Sequence, residues 1–333
     1  MRSTIFPIFP LILFLFSFSH DLLASAKNER WFSFSFDNDI FVGSDGGYTN
    51  GLYISWYDLP EDITSSTASL PWYYRLQALL TGADDRGESV FTQNIGQSML
   101  TPADISQPVP DENDLPYAGL LFWQGSILFG RGEVTDFATL FLGIVGPLSF
   151  AEQSQKLVHS LTGSDEPQGW DFQLKNEPLV GVRYGRFWQS VHLDSAAIEY
   201  DIVTGAQGGL GNFISSVEAD IYFRLGSKLE TSYSLLALTS AREINPTAHS
   251  GGWFAYIGAN IQYVFNNILF DGNTFRDSPS VPWEHWINSI TAGFAFSKEN
   301  WGLSFSYTDF GGINDEDERR QEFGSVTIVR RLQ

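Results

Sequence analysis

The chain has 333 residues, of which 43% are hydrophobic and 15% aromatic, and it carries a formal net charge of −20. A surface this acidic repels phosphate backbones, which excludes nucleic acid as a partner. The chain contains no cysteine, so disulfide scaffolds, thiolate zinc sites and cysteine nucleophiles are excluded as well. Its many aromatic side chains exclude an intrinsically disordered protein.

The N-terminal 26 residues have the features of a secretory signal peptide. A basic residue, Arg2, precedes an apolar run over residues 5–18, and Ala24-Ser25-Ala26 supplies small residues for cleavage. The alternative is a membrane anchor, but the run contains prolines and is shorter than the ~20 residues that a bilayer-spanning helix needs. We therefore expect residues 1–26 to be removed and residues 27–333 to form the exported protein.

Most of the remaining chain alternates between apolar and polar residues with a period of two. Residues 214–226, for example, place Val217 and Ile221 on one face. Glu218 and Asp220 lie on the other face. Such segments are longer than ordinary soluble strands, and their apolar faces end in Trp or Tyr, a pattern typical of outer-membrane β-barrels. The alternative is a secreted β-sandwich, whose strands also alternate.

We count twelve such strands and therefore expect an all-β fold, a twelve-stranded antiparallel transmembrane β-barrel. An even number of strands returns both termini to the periplasmic side. Residues 69–82 are predicted to form a helix on that side, and residues 227–251 are ambiguous, since a strand there would change the count by one hairpin. The expected strands are residues 30–39, 48–58, 89–99, 117–130, 134–146, 179–189, 191–203, 214–226, 252–266, 286–297, 300–309 and 321–331.

Polar residues that could form a site lie at the opposite, extracellular end. Strand one ends at Asp37-Asn38-Asp39, strand two begins near Thr49, and strand five leads into residues 147–178, the longest extracellular excursion. The order of the strands places all three at the same end of the barrel. Oxygen ligands of this kind suit a hard cation such as Ca²⁺. In the alternative, acidic residues at such a rim only keep it solvated.

The excursion contains a predicted short helix. Ser149 and Glu152 form a predicted capping box at its start, and Gly163 ends it. Gln155 and His159 are four residues apart and therefore lie on one face of this helix. An imidazole beside a bound cation could deprotonate a water molecule. A solvated surface histidine is the alternative.

Several motifs keep an order and spacing that resemble a known family. The most specific part is the helix segment 155–159, Gln-Lys-Leu-Val-His, with the following Gly163 and Trp170. The other segments are Asp37-Asn38-Asp39-Ile40-Phe41, Tyr48-Thr49-Asn50-Gly51, Thr101-Pro102, Pro116-Tyr117-Ala118-Gly119, and Gly146-Pro147 to Asn176-Glu177-Pro178. Together they resemble the lipid A 3′-O-deacylase family of outer-membrane barrels. The resemblance implies a twelve-stranded, calcium-dependent esterase that removes the 3′-linked acyloxyacyl group of lipid A.

The resemblance also assigns roles to residues of this chain. It implies that His159 is the general base and that Gln155 is its helical neighbour in the site. Asn38 and Asp39 match site residues on the family's first strand, and we assign them to the metal. Thr49 matches a site residue on the second strand, which would bind the substrate or the metal.

Two positions depart from the family's pattern. Asp165 lies where the family can have a Glu, and we expect it to be a further metal ligand, with Glu166 as the alternative for this position. A basic residue that the family can place shortly after Thr101-Pro102 is absent from residues 103–107. A Lys there would bind a lipid A phosphate, so its absence leaves the preferred head group open.

Strand parity raises one conflict with these assignments. Asp37 and Asp39 share the polar face of strand one, whereas Asn38 lies in the lipid-facing phase. Either the strand bulges near the rim or Asn38 contributes through its backbone carbonyl. Both alternatives remain open in the sequence.

We therefore expect a monomeric, calcium-dependent outer-membrane esterase that acts on the lipid A of lipopolysaccharide. In this hypothesis His159 activates a water molecule, and no acyl-enzyme forms. One alternative is an outer-membrane phospholipase with a serine nucleophile. The other is a non-enzymatic barrel or channel, in which residues 147–178 form only a surface loop.

Overall fold

The computed structural model describes residues 29–39, 47–59, 70–84, 86–195, 198–229, 252–311 and 321–332. These residues form a closed β-barrel of twelve antiparallel strands, which confirms the predicted all-β fold. The predicted signal peptide, residues 1–26, lies outside the described residues. The strands are β1 (Glu29–Asn38), β2 (Gly47–Leu59), β3 (Glu88–Thr101), β4 (Ala118–Arg131), β5 (Val134–Val145), β6 (Glu177–Ser195), β7 (Ile198–Gly211), β8 (Ile214–Gly226), β9 (Gly252–Asn267), β10 (Trp286–Lys298), β11 (Trp301–Phe310) and β12 (Gln321–Leu332).

The barrel closes between its first and last strands. Each strand pairs with its neighbours in sequence, and β1 also pairs with β12, with Asn38 opposite Gly324. Closure pairs the backbone groups within the wall, as a lipid environment requires. β8 pairs directly with β9, where Gly226 lies opposite Phe254. The ambiguous residues 227–251 therefore add no strand between these two, and most of that segment lies outside the described residues.

The boundary between β6 and β7 differs from the sequence-based expectation. The sequence predicts a break at residue 190, whereas β6 continues to Ser195 and β7 begins at Ile198. The pairing register of β6 shifts between Gln189 and Val191, so Ser190 is the extra residue of a β-bulge. A bulge reverses the alternation of faces along a strand, and in the sequence this reversal resembles the end of a strand.

The two ends of the barrel are distinguished by their connections. The loop rim carries the connections that follow the odd-numbered strands, including residues 102–117 and 146–176. The terminal rim carries the other connections, the start of β1 and the end of β12. Because both termini of an even-stranded outer-membrane barrel lie on the periplasmic side, we assign the terminal rim to the periplasm and the loop rim to the cell exterior.

Inward-facing side chains fill the barrel near the terminal rim. They come from strands on all sides of the wall and pack into one buried apolar cluster, which we call the lumen layer. This layer therefore occupies the lumen near the terminal rim. Its members are Trp31, Tyr57, Val90, Leu128, Phe137, Phe187, Val203, Tyr222, Leu229, Phe254, Tyr256, Ala295 and Val329.

The described residues also include three α-helices, namely α1 (Trp72–Thr81), α2 (Ala151–Thr162) and α3 (Ile268–Asp271). α1 confirms the helix predicted over residues 69–82. None of the helices in the described part of the chain is both long and apolar enough to cross a bilayer. At the loop rim, Phe270 of α3 packs with Leu120 and Phe141 of the wall. Below this second apolar cluster, the lumen contains a cavity of about 380 Å³.

The start of α2 differs from the prediction, whereas its end does not. Ser149 belongs to a 3₁₀ turn and Phe150 occupies the N-cap position with a φ of 60°, so the predicted capping box of Ser149 and Glu152 is wrong. The Ser149 side chain instead packs against Gly119 of the wall, where an added Cβ would lie 2.2 Å from its Oγ. The predicted end at Gly163 is confirmed, since this C-cap residue has a left-handed φ of 77°.

Candidate active site

Helix α2 lies on the outer, lipid-facing side of the barrel wall. Leu100 and Leu120 point inward, because they belong to the apolar cluster inside the loop rim. Successive residues of a strand face opposite sides, so Met99 and Gly119 point outward. Met99 packs there against Ala151 at the start of α2. Helix α2 approaches the wall closely at Gly119, where an added Cβ would lie 2.4 Å from the Cβ of Ala151.

The face of α2 that meets the wall carries Ala151, Gln155 and His159 at a spacing of four residues. Ala151 and Gln155 are buried and His159 is half-buried. Gln153 and Leu157, on the opposite face of the helix, are exposed. The structure thus places Gln155 and His159 on one face of α2, directed at the outside of the wall.

The reversal of the chain after α2 positions the ring of His159. The backbone N–H of Gly163 donates to the main-chain oxygen of His159 at 2.9 Å, which ends the helix. The returning chain brings the main-chain oxygen of Asp165 to 2.5 Å from His159 Nδ1. A carbonyl oxygen can only accept a hydrogen bond, so Nδ1 carries the proton of the neutral ring. The basic nitrogen of His159 is therefore Nε2.

Trp170 fixes the orientation of the Gln155 side-chain amide. The indole Nε1 donates to Gln155 Oε1 at 2.7 Å, and the buried Trp170 ring packs against Tyr117 with centroids 4.8 Å apart. An indole N–H can only donate, so the amide oxygen must face Trp170 and the amide nitrogen must face away. Within the described part of the chain, no acceptor lies in hydrogen-bond range of this buried Nε2. Gln155 can therefore donate to an oxygen of a bound substrate.

A row of outward-facing residues connects the wall beneath α2 with the end of β1. In the strand register, Gly119 lies opposite Met99. Met99 lies opposite Asn50, and Asn50 lies opposite Asn38. Asn38 and Asn50 are buried, although the outward phase of a barrel wall normally faces lipid. Other parts of the protein therefore cover the wall at this point.

This arrangement resolves the conflict for Asn38, whereas Asp37 keeps the lumen-facing phase and lines the cavity. Asp39 follows the last residue of β1, so strand alternation does not set its direction. β1 stays in register with both neighbours through Asn38, so strand one does not bulge. The bulge lies in β2, where the register with β3 shifts between Tyr48 and Asn50. Thr49 is the extra residue of this bulge, and its side chain lies outside the described part of the structure. Because α2 also stands outside the wall, the outward phase directs Asn38 to the side of the wall that carries His159.

The acidic candidates differ in their burial. Asp37 and Asp39 are each 2% exposed, whereas Asp165 and Glu166 are exposed. Among the described residues, no three His, Cys, Asp or Glu side chains converge into a metal cluster. A cation at this rim would therefore combine the Asp39 carboxylate with neutral oxygens such as the amide of Asn38. An oxygen set of this kind fits Ca²⁺, which accepts carboxylates, amide oxygens and water.

The surface around α2 is acidic. The β3–β4 loop contains four acidic residues and no Lys or Arg. Hydrogen bonds from Ser106 and Gln107 hold the pKa of Asp104 in this loop below its usual range, so that its carboxyl is ionised at neutral pH. On α2, Lys156 pairs with Glu152 at 2.9 Å, and this contact raises the pKa of the lysine. A substrate with phosphate groups would therefore need cations to approach this surface.

Two wall residues that hold α2 are not identified by the sequence analysis. Gln97 donates from Nε2 to the main-chain oxygen of Ser149 at 2.6 Å, and Met99 packs against Trp170. Both lie in the outward phase of β3. The sequence signal that could identify Gln97 is a polar side chain in the outward phase of a strand. Lipid cannot satisfy the hydrogen bonds of such a side chain, so protein must cover it. Asn50 carries the same signal.

Comparisons with known proteins identify the family and the fold of the chain. The family model described as "Outer membrane protein LpxR" matches residues 9–332. The chain belongs to this family. LpxR from Salmonella typhimurium is similar in structure, with a TM-score of 0.75 and 15% identity over 91% of this chain and 100% of that chain. The β-domain of the Bordetella autotransporter BrkA has a TM-score of 0.40 and 10% identity over 92% of this chain and 98% of that chain.

Membership of the LpxR family makes the chain an outer-membrane β-barrel of the lipid A deacylase family. The similarity to the Salmonella LpxR shows that the two chains share the fold. No curated protein matches this chain in sequence. The predicted family and fold are thus confirmed, whereas the roles of the six site residues stay predictions.

Proposed function

We propose that this LpxR-family barrel hydrolyses the 3′-O-linked acyloxyacyl ester of lipid A in a calcium-dependent reaction with His159 as general base. The observation that carries the proposal is the position of His159 and Gln155 on the wall-facing side of α2, outside the barrel. Acyl chains of a membrane lipid can reach this side of the wall laterally. The ester then meets the base without crossing the lumen.

The helix that carries the site also exposes apolar side chains, which suits a lipid substrate. Leu157 and Leu161 of α2 and its N-cap residue Phe150 are exposed, as is Phe172 in the following segment. Apolar patches of this kind mark binding surfaces or membrane contacts. They therefore favour a substrate with acyl chains over a soluble ester.

In the proposed reaction His159 takes a proton from a water molecule through Nε2. The Nδ1–H bond to the Asp165 carbonyl holds the ring in this tautomer and stabilises the imidazolium that forms. The water oxygen attacks the ester carbonyl carbon, and the bond between this carbon and the sugar oxygen then breaks. The imidazolium returns its proton to the leaving alkoxide. The products are a carboxylic acid and a sugar hydroxyl, and no acyl-enzyme forms.

Gln155 would stabilise the tetrahedral intermediate of this reaction. Its Nε2, held in place by the Trp170 contact at Oε1, donates to the carbonyl oxygen as that oxygen becomes negative. A single side-chain donor of this type contributes about 10²–10³-fold to kcat in a well-studied protease. Gln155 is therefore a catalytic residue in this proposal, and Trp170 is its positioning residue.

Asp39 and Asn38 would hold the calcium ion, with Asp165 as a further ligand from the loop and with Thr49 binding the substrate. When bound, the cation supplies electrostatic stabilisation of negative charge on the ester oxygens and on the lipid A phosphates. This role fits the acidic surface around α2. It also fits the absence of a basic residue from residues 103–107, because a cation can replace a Lys beside a phosphate.

The lumen layer favours an enzyme over a channel, because it fills the barrel near the terminal rim. The phospholipase alternative predicts a serine nucleophile that becomes acylated. A serine-directed fluorophosphonate would label such an enzyme. It would leave no label on a barrel that uses an activated water molecule.

Mass spectrometry of lipid A tests the proposed function. The lipid would come from cells that express the wild type, His159→Ala or Gln153→Ala, the last being a matched control on the exposed face of α2. We expect lipid A to lose the mass of one acyloxyacyl group with the wild type and the control. His159→Ala should leave lipid A intact while it keeps the heat-modifiable migration of a folded barrel. Full activity of His159→Ala would refute the mechanism, and intact lipid A in all three would refute the activity.

A further inference from the structure

Helix α1 packs against the outside of the barrel wall. The residues of β3, β4 and β5 that contact α1 are next in sequence to members of the lumen layer, and successive strand residues face opposite sides. Phe91, Ile127 and Ala138 therefore point outward, and they form a buried cluster with Tyr74 and Ala78 of α1. α1 thus covers the surface that the wall elsewhere presents to lipid.

Two hydrogen bonds attach α1 to the main chain of the wall. Tyr74 OH donates to the oxygen of Thr92 at 2.8 Å, and Gln77 Nε2 donates to the oxygen of Gly125 at 2.7 Å. All four of these residues are buried. α1 is therefore a fixed part of the outer surface of the barrel, with a defined face against the wall.

The opposite face of α1 is apolar and exposed. Trp72, Leu76, Leu79 and Leu80 follow one another at the spacing of a single helical stripe, and between 50% and 78% of the surface of each is exposed. A stripe of this size on a ten-residue helix marks a contact with a membrane or with another protein. We call these four residues the α1 stripe.

The contacts of α1 place the stripe at membrane depth. At the start of the helix, the ring of Tyr73 packs edge-on against Trp123, near the middle of β4, with centroids 5.3 Å apart. After its end, an added Cβ at Gly82 would lie 3.8 Å from Nη2 of Arg131, the last residue of β4. α1 therefore spans the wall from near mid-membrane to the terminal rim.

We propose that α1 is a membrane anchor whose stripe inserts among the acyl chains of phospholipids in the periplasmic leaflet. The stripe continues the lipid-facing wall, whose outward residues near the terminal rim, such as Phe223 and Leu303, are 47% and 44% exposed. Arg131 lies at the end of α1, where the head groups of this leaflet begin, and its charge suits anionic phosphate groups. Interfacial anchors set the tilt of a membrane protein, so α1 would hold the barrel at a fixed tilt in the bilayer.

A single-cysteine label tests this proposal, because the chain contains no cysteine of its own. Leu79→Cys removes little packing, since Leu79 is 78% exposed. The full chain would carry the environment-sensitive dye NBD at this position, in vesicles of phosphatidylethanolamine and phosphatidylglycerol at one barrel per vesicle. Phe223→Cys is the reference for the lipid-facing wall, and Glu112→Cys is the reference for an exposed loop. Heat-modifiable migration identifies the folded variants.

The measurement is quenching by brominated phospholipids and by aqueous iodide. We expect brominated lipid to quench the label at Leu79→Cys as strongly as at Phe223→Cys. Iodide should quench it about five-fold less than the label at Glu112→Cys, because the dye lies among acyl chains. Iodide quenching equal to that of the loop reference would overturn the proposal. Protection that appears only at several barrels per vesicle would also overturn it, in favour of contact with a second copy.

Discussion

The main-chain oxygen of Asp165 lies 2.5 Å from Nδ1 of His159 and sets the tautomer of the imidazole. The two residues meet because the chain reverses at Gly163, whose left-handed φ of 77° suits glycine. The orientation of the proposed base therefore depends on the backbone at position 165 and not on the carboxylate. The carboxylate remains available as a metal ligand.

Asp165→Asn should separate these two roles. We expect kcat at saturating calcium to stay within about two-fold of the wild type, because the carbonyl oxygen is kept. The calcium concentration that gives half-maximal activity should rise about ten-fold or more, because a charged ligand is lost. A calcium titration of the steady-state rate measures both quantities. Asp171→Asn, in the same loop, should change neither. A lower kcat with unchanged calcium dependence would contradict the assignment.

The fold could be predicted from the sequence because the lumen and the lipid impose a period of two on every strand. Segments such as residues 214–226 keep this period without interruption, and their predicted bounds are those of β8. At Ser190 the predicted strand boundary is wrong, and the reason is informative. The bulge there reverses the faces within one strand, and only the pairing partners on β7 show that the strand continues.

The site was predictable in part. Gln155 and His159 are four residues apart, so they lie on one face of an α-helix in any environment, and this could be predicted. The sequence does not show that α2 lies outside the wall. This position depends on the close packing of Ser149 and Ala151 against Gly119, which has no side chain to keep them away. For the same reason the outward phase of Asn38 looked like a conflict. Whether residues 147–178 lie inside or outside the wall depends on tertiary packing, which strand alternation does not determine.

Trp170→Phe should lower activity without unfolding the barrel. The change keeps the ring packing against Tyr117 but removes the Nε1 donor to Gln155 Oε1. The amide can then rotate, and we expect kcat to fall about ten-fold with little change in KM, corresponding to loss of about one hydrogen bond. Trp283→Phe is the matched control, since its Nε1 donates to Asp271 at 2.8 Å.

A double-mutant cycle checks the same relationship. If Trp170 acts through Gln155, then adding Trp170→Phe to Gln155→Ala should cost little further activity. Fully additive losses would show that Trp170 acts in another way.

Gly119→Ala should displace α2 from the wall. The new Cβ would lie 2.2 Å from Ser149 Oγ and 2.4 Å from the Cβ of Ala151, so the start of the helix must move outward. We expect about a 10²-fold loss of deacylase activity, because misplacing a catalytic group by about 1 Å has this effect. Gly130→Ala in the same strand is the control, since its nearest contact would be 3.5 Å. Equal activity of the two variants would contradict the position of α2.

Chelation should remove activity reversibly. EGTA should abolish deacylation and added Ca²⁺ should restore it, while the heat-modifiable migration of the barrel stays unchanged because closure of the wall does not involve the metal. Asp39→Asn should raise the calcium requirement at least as much as Asp165→Asn, since Asp39 is buried and Asp165 is exposed. Full activity in EGTA would contradict calcium dependence.

The wild-type barrel should conduct no ions in planar bilayers. The lumen layer packs buried apolar side chains from strands around the wall, including Trp31 of β1 and Val203 of β7, into one cluster near the terminal rim. Opening a path would require several of these side chains to leave a packed cluster together. A stable conductance of the wild type would support the channel alternative. Its absence would contradict the channel alternative.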